Sequence, residues 1–528
     1  MLLLQVSMEN NNTIETTEID ISEQAQIRLN KLIDLKKEGK DPYHETVFSI
    51  SHKSGQVVEN YVSLEGKEIS IAGRIMTRRI MGKASFCHIQ DSEGQIQSYV
   101  RVDALGESDY EEFLNFDIGD IVGIHGEVFK TQKGEVSVKA KSVKLLSKSL
   151  LPLPEKFHGL KDNDLRYRQR YLDLIMNGDV KNKFKDRSLI IKGMREYLEN
   201  EGFIEVETPV LDTIAGGASA RPFTTHHNTL NLDMFLRIAP ELYLKRLIVG
   251  GFDKVYELGR MFRNEGMSYK HNPEFTMMEL YSAYTDYHEM MRLTEGVYDY
   301  VMKKLGLPET IPYGDIEKIN MKTPFARLTM KEAVKKYAKF DIDSFKTAKE
   351  AVAGAKKIGV HIDCANKNVG DGALAVPKKS TIEITKEKIL YEVFDQKVES
   401  QLIDPVFITE YPLEVSPLAK KIAKDPLYTY RFELFIAGRE MGNAYSELND
   451  PIDQKERFAA QQKLKEGGDA EAMDTDDDFV NALSYAMPPT GGLGLGIDRM
   501  VMLLTNSASI REVILFPTMK PKTASKLD

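Results

Sequence analysis

The sequence predicts an α+β protein in which a small five-stranded barrel precedes a larger domain of helices and strands. Short β-rich runs separated by glycine-containing turns occupy residues 67–150, and mixed helical and strand-like segments follow from about residue 181. The 528 residues agree with this division, since about 150 residues per domain gives two to four domains. We therefore expect a helical extension at 1–66, a barrel at 67–150, a linker at 151–180 and a large domain at 181–528.

Composition and charge restrict the function classes. The 71 Lys and Arg residues against 80 Asp and Glu give a net charge of -9, so nucleic-acid binding would require a local basic patch. Cys87 and Cys364 are too few for a disulfide framework or a four-thiolate zinc site, which favours a reducing compartment. No apolar run reaches the roughly 18 residues of a membrane span, so we expect a cytoplasmic protein without a membrane partner.

The N-terminal extension is predicted to contain one helix. Asp20 with Glu23 three positions later resembles a capping arrangement, and Gly39 and Pro42 end the apolar pattern that follows. Such a helix can pack on its own chain or on a partner.

Five strands are predicted in the barrel, at 69–75, 85–89, 95–100, 121–126 and 135–138, with a helix at 108–116 between the third and fourth. This order is typical of an oligonucleotide-binding (OB) barrel. Such barrels bind single strands by stacking bases on aromatic side chains. Phe86 and Gln97 are candidates for stacking and base-edge hydrogen bonding, although Phe86 is equally an aromatic residue of the kind found in a barrel core.

Conventional phosphate-binding motifs are absent from the sequence. No Gly-x-x-x-x-Gly-Lys-Ser/Thr occurs, and the glycines at 491–496 lack Rossmann spacing. Three other segments occur together in order: GFIEVETPVL at 202–211, YELGRMFRNEG at 256–266 with KHNPEFT at 270–276, and GLGLGIDR at 492–499. They resemble motifs 1, 2 and 3 of class II aminoacyl-tRNA synthetases, and the resemblance extends from about residue 67 to the C-terminus.

Within that class, the sequence is most similar to the bacterial-type lysyl-tRNA synthetase family. The supporting segments are GGASARPF at 216–223, IAPELYLK at 238–245 and GNAYSELND at 442–450. The resemblance implies a catalytic domain built on an antiparallel sheet flanked by helices. It also implies an ATP-dependent ligase that forms lysyl-adenylate, transfers lysine to the 3′ end of tRNA(Lys) and releases AMP and pyrophosphate. Motif 1 with Pro209 implies a homodimer, and no DNA partner is expected.

The resemblance assigns ATP contacts in motifs 2 and 3. Arg263 would meet the α-phosphate and the amino-acid carboxylate, Arg499 the γ-phosphate and His271 the outer phosphates, with both arginines as catalytic residues. Phe275 would stack on adenine, Glu265 would bind its amino group, and Asn272 and Glu433 would complete the ATP site. Guanidinium suits this role, since it can bind two phosphate oxygens at once.

Glu433 and Glu440 flank a predicted turn and can converge on one cation. Mg²⁺ prefers oxygen ligands, commonly one or two carboxylates with substrate phosphates. In the family the equivalent glutamates hold the ions that bridge the ATP phosphates, so Mg²⁺ is the expected cofactor.

The resemblance also defines an amino-acid pocket. Glu447 and Tyr281 would meet the ε-ammonium of L-lysine, with Glu279 nearby, whereas Glu241 and the Gly217 backbone would meet the α-ammonium. Asn443 and Arg263 complete the predicted lysine site. An aspartyl site would instead place cations at these positions.

In the barrel, the resemblance implies that Phe86 stacks on an anticodon base, that Gln97 and Glu135 read base edges, and that Arg78 contacts the backbone or a base. Such contacts suit single-stranded RNA, whose splayed loop bases are stacked and read on their edges.

Two other functions are open to a chain of this kind. One is a non-catalytic RNA-binding protein built on a decayed synthetase; it is disfavoured because Arg263, Glu265, Glu433, Glu440 and Arg499 are all present. The other is a paralogue that lysylates a protein, a family that lacks the barrel.

Overall fold

The computed structural model describes residues 23–154, 160–362, 384–469 and 471–521. The chain divides into two compact units, Met1–Asp162 with Tyr171–Gly178, and Asn163–Arg170 with Asp179–Asp528. The predicted helix cap at Asp20 and the second cysteine, Cys364, lie outside the described residues.

The first unit contains the predicted barrel. Five strands close in the order β1-β2-β3-β5-β4, and the predicted helix between the third and fourth strands is confirmed. The elements of this unit are α1 (Glu23–Lys37), α2 (Ser54–Glu59), α3 (Tyr61–Leu64), β1 (Glu68–Met81), β2 (Ala84–Gln90), β3 (Gln95–Arg101), α4 (Val102–Leu105), α5 (Glu107–Leu114), β4 (Ile121–Lys130) and β5 (Val136–Ser147).

Strand β5 is longer than predicted. Exposed Lys139 and Lys141 alternate with buried Val138 and Ala140, so the strand continues to Ser147 although its polar positions hide the pattern. The same alternation on β2 buries Cys87, and burial raises the pKa of its thiol to about 12. Cys87 is therefore an inert core residue.

The second unit is built on a nine-stranded sheet whose main path is β14-β15-β17-β18-β19-β11-β10-β6, with β16 paired to β17. The elements from the linker onward are α6 (Asn163–Arg168), α7 (Arg170–Met176), α8 (Gly178–Asn200), β6 (Ile204–Glu205), β7 (Leu211–Asp212), β8 (Thr224–His227), β9 (Leu232–Leu236), α9 (Glu241–Val249), β10 (Lys254–Phe262), β11 (Glu274–Ala283), α10 (Tyr287–Leu305), β12 (Thr310–Tyr313), β13 (Ile316–Asn320), β14 (Ala326–Thr329), α11 (Met330–Ala333), α12 (Ala348–Lys357), α13 (Lys386–Lys397), β15 (Val406–Pro412), β16 (Lys421–Ile422), β17 (Asp425–Ile436), β18 (Arg439–Ser446), α14 (Pro451–Glu466), α15 (Asp477–Leu483), β19 (Thr490–Gly496), α16 (Ile497–Leu504) and α17 (Ile510–Val513).

The α+β class is confirmed, but the sheet is mixed rather than wholly antiparallel. Its central pairs are antiparallel, whereas β10 pairs with β6 and β15 pairs with β14 in the parallel sense. In both parallel pairs a long connection with helices separates the partners, which is what parallel pairing requires.

The central strands separate a hydrophobic face from a polar face by their two-residue period. On β11, Met278 and Leu280 enter the hydrophobic core, while Met277, Glu279 and Tyr281 line the cavity on the other face. Helices α10 and α16 contribute to that core. The polar face therefore positions the candidate site.

None of the helices in the described part of the chain is long and apolar enough to cross a bilayer.

Candidate functional site

A cavity of about 910 Å³ lies over the polar face of the central strands. The residues predicted for ATP, metal and lysine binding all line it: Gly217, Glu241, Arg263, Glu265, His271, Asn272, Phe275, Glu279, Tyr281, Glu433, Glu440, Asn443, Glu447 and Arg499. They come from widely separated segments, and the strand register brings them together.

The glycines of motif 3 create the floor of this cavity. Gly492, Gly494 and Gly496 occupy alternate positions of β19 and line the cavity. A Cβ atom at Gly492 would overlap Glu447 Oε1 and the Tyr281 ring, since both lie against its backbone. Gly492 is thus required for the close approach of Glu447 and Tyr281 to the strand, not for phosphate binding in a Rossmann turn.

One group of side chains presents arginines to the cavity. The Arg263 guanidinium lies 5.2 Å from the centroid of the Phe275 ring. Arg499 Nη1 donates to the carbonyl oxygen of Glu440 at 2.7 Å, and its Nη2 lies 3.4 Å from His271 Nε2. Burial, followed by the charge of Arg499, lowers the pKa of His271. His271 is therefore neutral at pH 7, and the two arginines supply the positive charge.

Burial also lowers the pKa of Arg263, whose Nε has no hydrogen-bond partner among the described residues. A half-buried guanidinium whose buried Nε–H lacks a partner among the described residues is prepared to bind an anion. The start of α16 is fixed by Asp498, which pairs with Arg187 at 2.6 Å and accepts from the Thr276 backbone N–H at 2.7 Å.

Glu265 and Asn272 differ in their availability. Glu265 is exposed beside the cavity. The Asn272 amide nitrogen donates to the Glu274 carbonyl oxygen at 2.7 Å, and its oxygen accepts from the Thr518 backbone N–H at 3.2 Å. Both ends of this amide hold the chain, and an ATP contact by Asn272 stays a prediction.

Glu433 and Glu440 lie on the neighbouring strands β17 and β18. Burial, and next the nearby charge of Glu440, raise the pKa of Glu433 to about 7. Glu433 accepts two hydrogen bonds, from Tyr411 Oη at 2.9 Å and from Arg431 Nη2 at 2.7 Å. These two donors fix the orientation of the Glu433 carboxylate. Glu433 and Glu440, next to arginines, form an oxygen donor set suited to Mg²⁺.

Three buried carboxylates form another part of the cavity. Glu241, Glu279 and Glu447 are 4%, 5% and 0% exposed. Burial, followed by the charge of Glu241, raises the pKa of Glu279 to about 8, and burial raises that of Glu447 well above its usual range. Tyr281 Oη donates to Glu279 Oε2 at 3.2 Å. Ionising three carboxylates this close together is costly in the free protein, and a cationic ligand would offset that cost.

Sequence reasoning missed two residues beside these carboxylates. Lys245 Nζ lies 2.6 Å from Glu241 Oε1 and forms an ion pair with Glu447, and Tyr445 Oη donates to Glu241 Oε2 at 2.7 Å. Both carried a signal. Lys245 is four residues after Glu241 on one helix, and Tyr445 shares the strand parity of Asn443.

On the barrel, the outward face of β2 and β3 brings three predicted residues together. The Phe86 ring stacks on Tyr99 with centroids 4.6 Å apart and an interplanar angle of 22°. Gln97 Nε2 donates to Glu135 Oε2 at 2.8 Å. Phe86 is thus outside the barrel core, and Tyr99, two residues from Gln97, is a further aromatic on this face.

Arg78 is not part of that group. It pairs in register with the buried Cys87, and its Nη1 donates to the carbonyl oxygens of Phe113 and Leu114 at 3.0 Å each. Its guanidinium thus holds the C-terminal end of α5, and contact with RNA by Arg78 stays a prediction.

Comparison with known proteins agrees with both units. Residues 162–520 match the family model of class II tRNA synthetases (D, K and N), and residues 69–146 match that of the OB-fold nucleic acid binding domain. The chain is 53% identical to the lysine–tRNA ligase of Thermoanaerobacter pseudethanolicus, covering 98% of this chain and 100% of the relative. It is also 53% identical to that of Pelotomaculum thermopropionicum, covering 96% of each chain, and 54% identical to that of Clostridium novyi, covering 94% of each. The chain therefore belongs to the class II tRNA synthetases of the D, K and N group, within the lysine–tRNA ligase family.

Proposed function

We propose that the protein is a lysine–tRNA ligase that activates L-lysine with ATP and transfers it to tRNA(Lys), releasing AMP and pyrophosphate. The observation that carries this proposal is the cluster of three buried carboxylates, Glu241, Glu279 and Glu447, in a cavity that also contains Arg263 and Arg499. The names of the relatives support the same activity.

The charge of the pocket favours lysine among the amino acids. Lysine carries an ammonium group at each end of an apolar stem, and buried carboxylates bind such groups strongly because water does not screen them. Tyr281 and Tyr445 offer aromatic surface beside the carboxylates, which suits a methylene chain. Aspartate would place its side-chain carboxylate among these three carboxylates and would be repelled.

Adenylation requires a carboxylate oxygen of lysine to attack the α-phosphorus of ATP while pyrophosphate leaves. We assign Arg263 to both reacting groups, since its guanidinium is half-buried and has a free donor. Arg499 would neutralise the charge that develops on the leaving pyrophosphate. Phe275 would stack on adenine, Glu265 would accept from its amino group, and His271 would donate to an outer phosphate. In the second step a ribose hydroxyl of the tRNA attacks the lysyl carbonyl carbon and AMP leaves.

Mg²⁺ is proposed as the cofactor, with Glu433 and Glu440 as its protein ligands. When bound, the ion neutralises phosphate charge and polarises the phosphoryl oxygens. Tyr411 and Arg431 hold Glu433 in place for this role. Glu433→Gln and Glu440→Gln should each raise the Mg²⁺ concentration needed for half-maximal activity. If the Mg²⁺ titration curves of both variants coincide with that of the wild type, Glu433 and Glu440 are not the Mg²⁺ ligands.

We also propose that Phe86, Gln97 and Glu135 contact the anticodon, that the protein is a cytoplasmic homodimer, and that motif 1 contributes to the dimer interface. Exposed apolar residues on motif 1 support an interface there, with Ile204 54%, Val210 41% and Leu211 44% exposed.

Two assays on one preparation test the activity. Lysine-dependent ATP–pyrophosphate exchange reports adenylation, and charging of purified tRNA reports transfer; arginine, ornithine and aspartate are the control amino acids. A lysine–tRNA ligase is active in both with lysine. A protein that binds tRNA but shows no pyrophosphate exchange would be a non-catalytic RNA-binding protein. A protein that shows exchange but does not charge tRNA would be a ligase for another acceptor.

A further inference from the structure

Lys245 is a buried cation that the proposed chemistry leaves without a role. It lies one turn after Glu241 on α9, and its side chain has no exposed surface. Its Nζ contacts carboxylates from two distant parts of the chain, Glu241 at 2.6 Å and Glu447, which follows β18. The rings of Tyr445 and Phe479 lie 5.6 and 5.8 Å from it.

Lys245 lies behind the pocket rather than in it. Glu241, Glu447 and Tyr445 line the cavity, whereas Lys245 is not among the described residues that do. Glu447 Oε2 contacts Lys245, while Oε1 lies against Gly492 and accepts no hydrogen bond from the described residues. The ammonium thus holds one oxygen of each carboxylate. The second oxygen of Glu241 accepts from Tyr445 Oη, whereas the second oxygen of Glu447 has no partner among the described residues.

Lys245 also sets the charge of the pocket. Burial lowers its pKa, but Glu241 and then Glu447 raise it by more, so Lys245 stays protonated. Bound lysine favours ionisation of Glu279, whose pKa burial raises to about 8 in the free protein. With the three carboxylates then ionised, one buried ammonium leaves two negative charges in excess. The two ammonium groups of a lysine molecule match that excess.

We propose that Lys245 is a specificity-determining positioning residue, which by bridging Glu241 and Glu447 orients both carboxylates toward the two ammonium groups of lysine. This inference rests on the proposed function, because it concerns the same pocket. Lys245 acts through the carboxylates and touches no substrate atom.

A discriminating test uses L-norleucine, which has nearly the size and shape of lysine but lacks the ε-ammonium. The dissociation constants of both amino acids are measured by calorimetry, together with the KM values for lysine and ATP in exchange. Lys245→Met removes the charge at similar volume, and Lys245→Arg keeps it. Arg246→Met is the matched control, since Arg246 is the next residue on α9 but pairs with Asp476 outside the cavity lining.

Lys245→Met should weaken lysine binding by about a hundredfold, because breaking a buried pair leaves uncompensated charge that Glu447 relieves by taking up a proton. The KM for ATP should change less than threefold. Norleucine needs no anion at its side chain, so the ratio of lysine affinity to norleucine affinity should fall by about tenfold or more. Lys245→Arg and Arg246→Met should keep a wild-type ratio.

If Lys245 only supports the fold, Lys245→Met should weaken the binding of lysine and of norleucine by the same factor. An unchanged ratio of the two affinities in Lys245→Met therefore overturns the proposal, however large the loss of either affinity. If Lys245→Met does not fold, Lys245→Gln, which also removes the charge, is measured in its place: a lowered lysine-to-norleucine ratio supports the proposal and an unchanged ratio overturns it. Wild-type protein that binds no lysine would overturn the proposed function and this inference together, whereas normal wild-type binding with an unchanged variant ratio overturns this inference alone.

Discussion

The proposed lysine pocket and the outward face of the barrel both present side chains from neighbouring strands. The side chains in the pocket are buried, whereas those on the barrel face are exposed to water. In the pocket, Glu447 and Lys245 form an ion pair with no exposed side-chain surface on either partner. On the barrel, His88 and Glu135 form a pair at 3.0 Å whose side chains are 34% and 47% exposed. Water screens the second pair and not the first. Single substitutions should therefore have large, substrate-specific effects in the pocket and small effects on the barrel face.

The pKa shifts support this contrast. Burial raises the pKa of Glu279 to about 8 and that of Glu433 to about 7. Charge that is costly to bury in the free protein becomes favourable when a cationic ligand arrives. We therefore expect recognition in the pocket to be electrostatic and recognition on the barrel to depend on stacking.

The largest expected effect is at Glu447. Glu447→Gln keeps the shape but leaves the ε-ammonium without its carboxylate, a loss of about 3–5 kcal/mol, or roughly a hundred- to several-thousandfold in kcat/KM for lysine. The KM for ATP should hardly change. Pyrophosphate exchange with varied lysine and varied ATP measures both values, with the exposed Glu456→Gln on α14 as control.

Because Glu447 also pairs with Lys245, the melting temperature of the Glu447→Gln variant must be measured on the same preparation. Equal losses for both substrates with a lower melting temperature would mean that Glu447 supports the fold, and the contrast between the two regions would lose its strongest case.

The next effect is at Arg499. Arg499→Ala removes a guanidinium from the proposed leaving-group site, so exchange should fall on the order of a hundredfold. The oligomeric state should stay unchanged, which size-exclusion chromatography with light scattering checks. Exchange within threefold of wild type would show that Arg499 only holds Glu440, to whose carbonyl it donates.

A smaller effect is expected on the barrel. Phe86→Ala removes one stack of about 1–3 kcal/mol, so tRNA charging should weaken by roughly tenfold while lysine-dependent exchange stays near wild type. The control Phe113→Leu alters a fully buried aromatic of the same barrel and should lower the melting temperature without a selective loss of charging. If Phe86→Ala lowers both activities equally, the anticodon assignment must be withdrawn.

The smallest effect concerns pH. The pKa of Glu279 rises from an ordinary value of 4.5 to about 8 in the folded protein, so the native state binds more protons than the unfolded state between these pH values. The free energy of unfolding should therefore fall as pH rises from 5 to 8, lowering the melting temperature by a few degrees. Saturating lysine should reduce this fall because it compensates the carboxylate. Thermal scans of Glu279→Gln should show a weaker pH dependence, and a wild-type slope in that variant would contradict the assignment.

The sequence alone was sufficient for the local features. Alternation of apolar and polar residues located all five barrel strands, and Gly39 with Pro42 marked the end of α1. The segments of motifs 2 and 3 contain six of the predicted residues that line the cavity, and the segments typical of the lysyl enzymes contain four more. The other four, Glu279, Tyr281, Glu433 and Glu440, lie outside these segments. The length of β5 was underestimated, because lysines at its outward positions make its C-terminal half look polar in the sequence.

Tertiary structure decided what depends on pairing between distant segments. That Arg78 holds α5 instead of joining Phe86, that two edge pairs of the sheet are parallel, and that Lys245 bridges Glu241 to Glu447 all follow from registers and packing that local patterns do not contain. The physical reason is range: side-chain periodicity reports which face of its own element a residue occupies, whereas charge interactions and burial depend on which other elements cover that face.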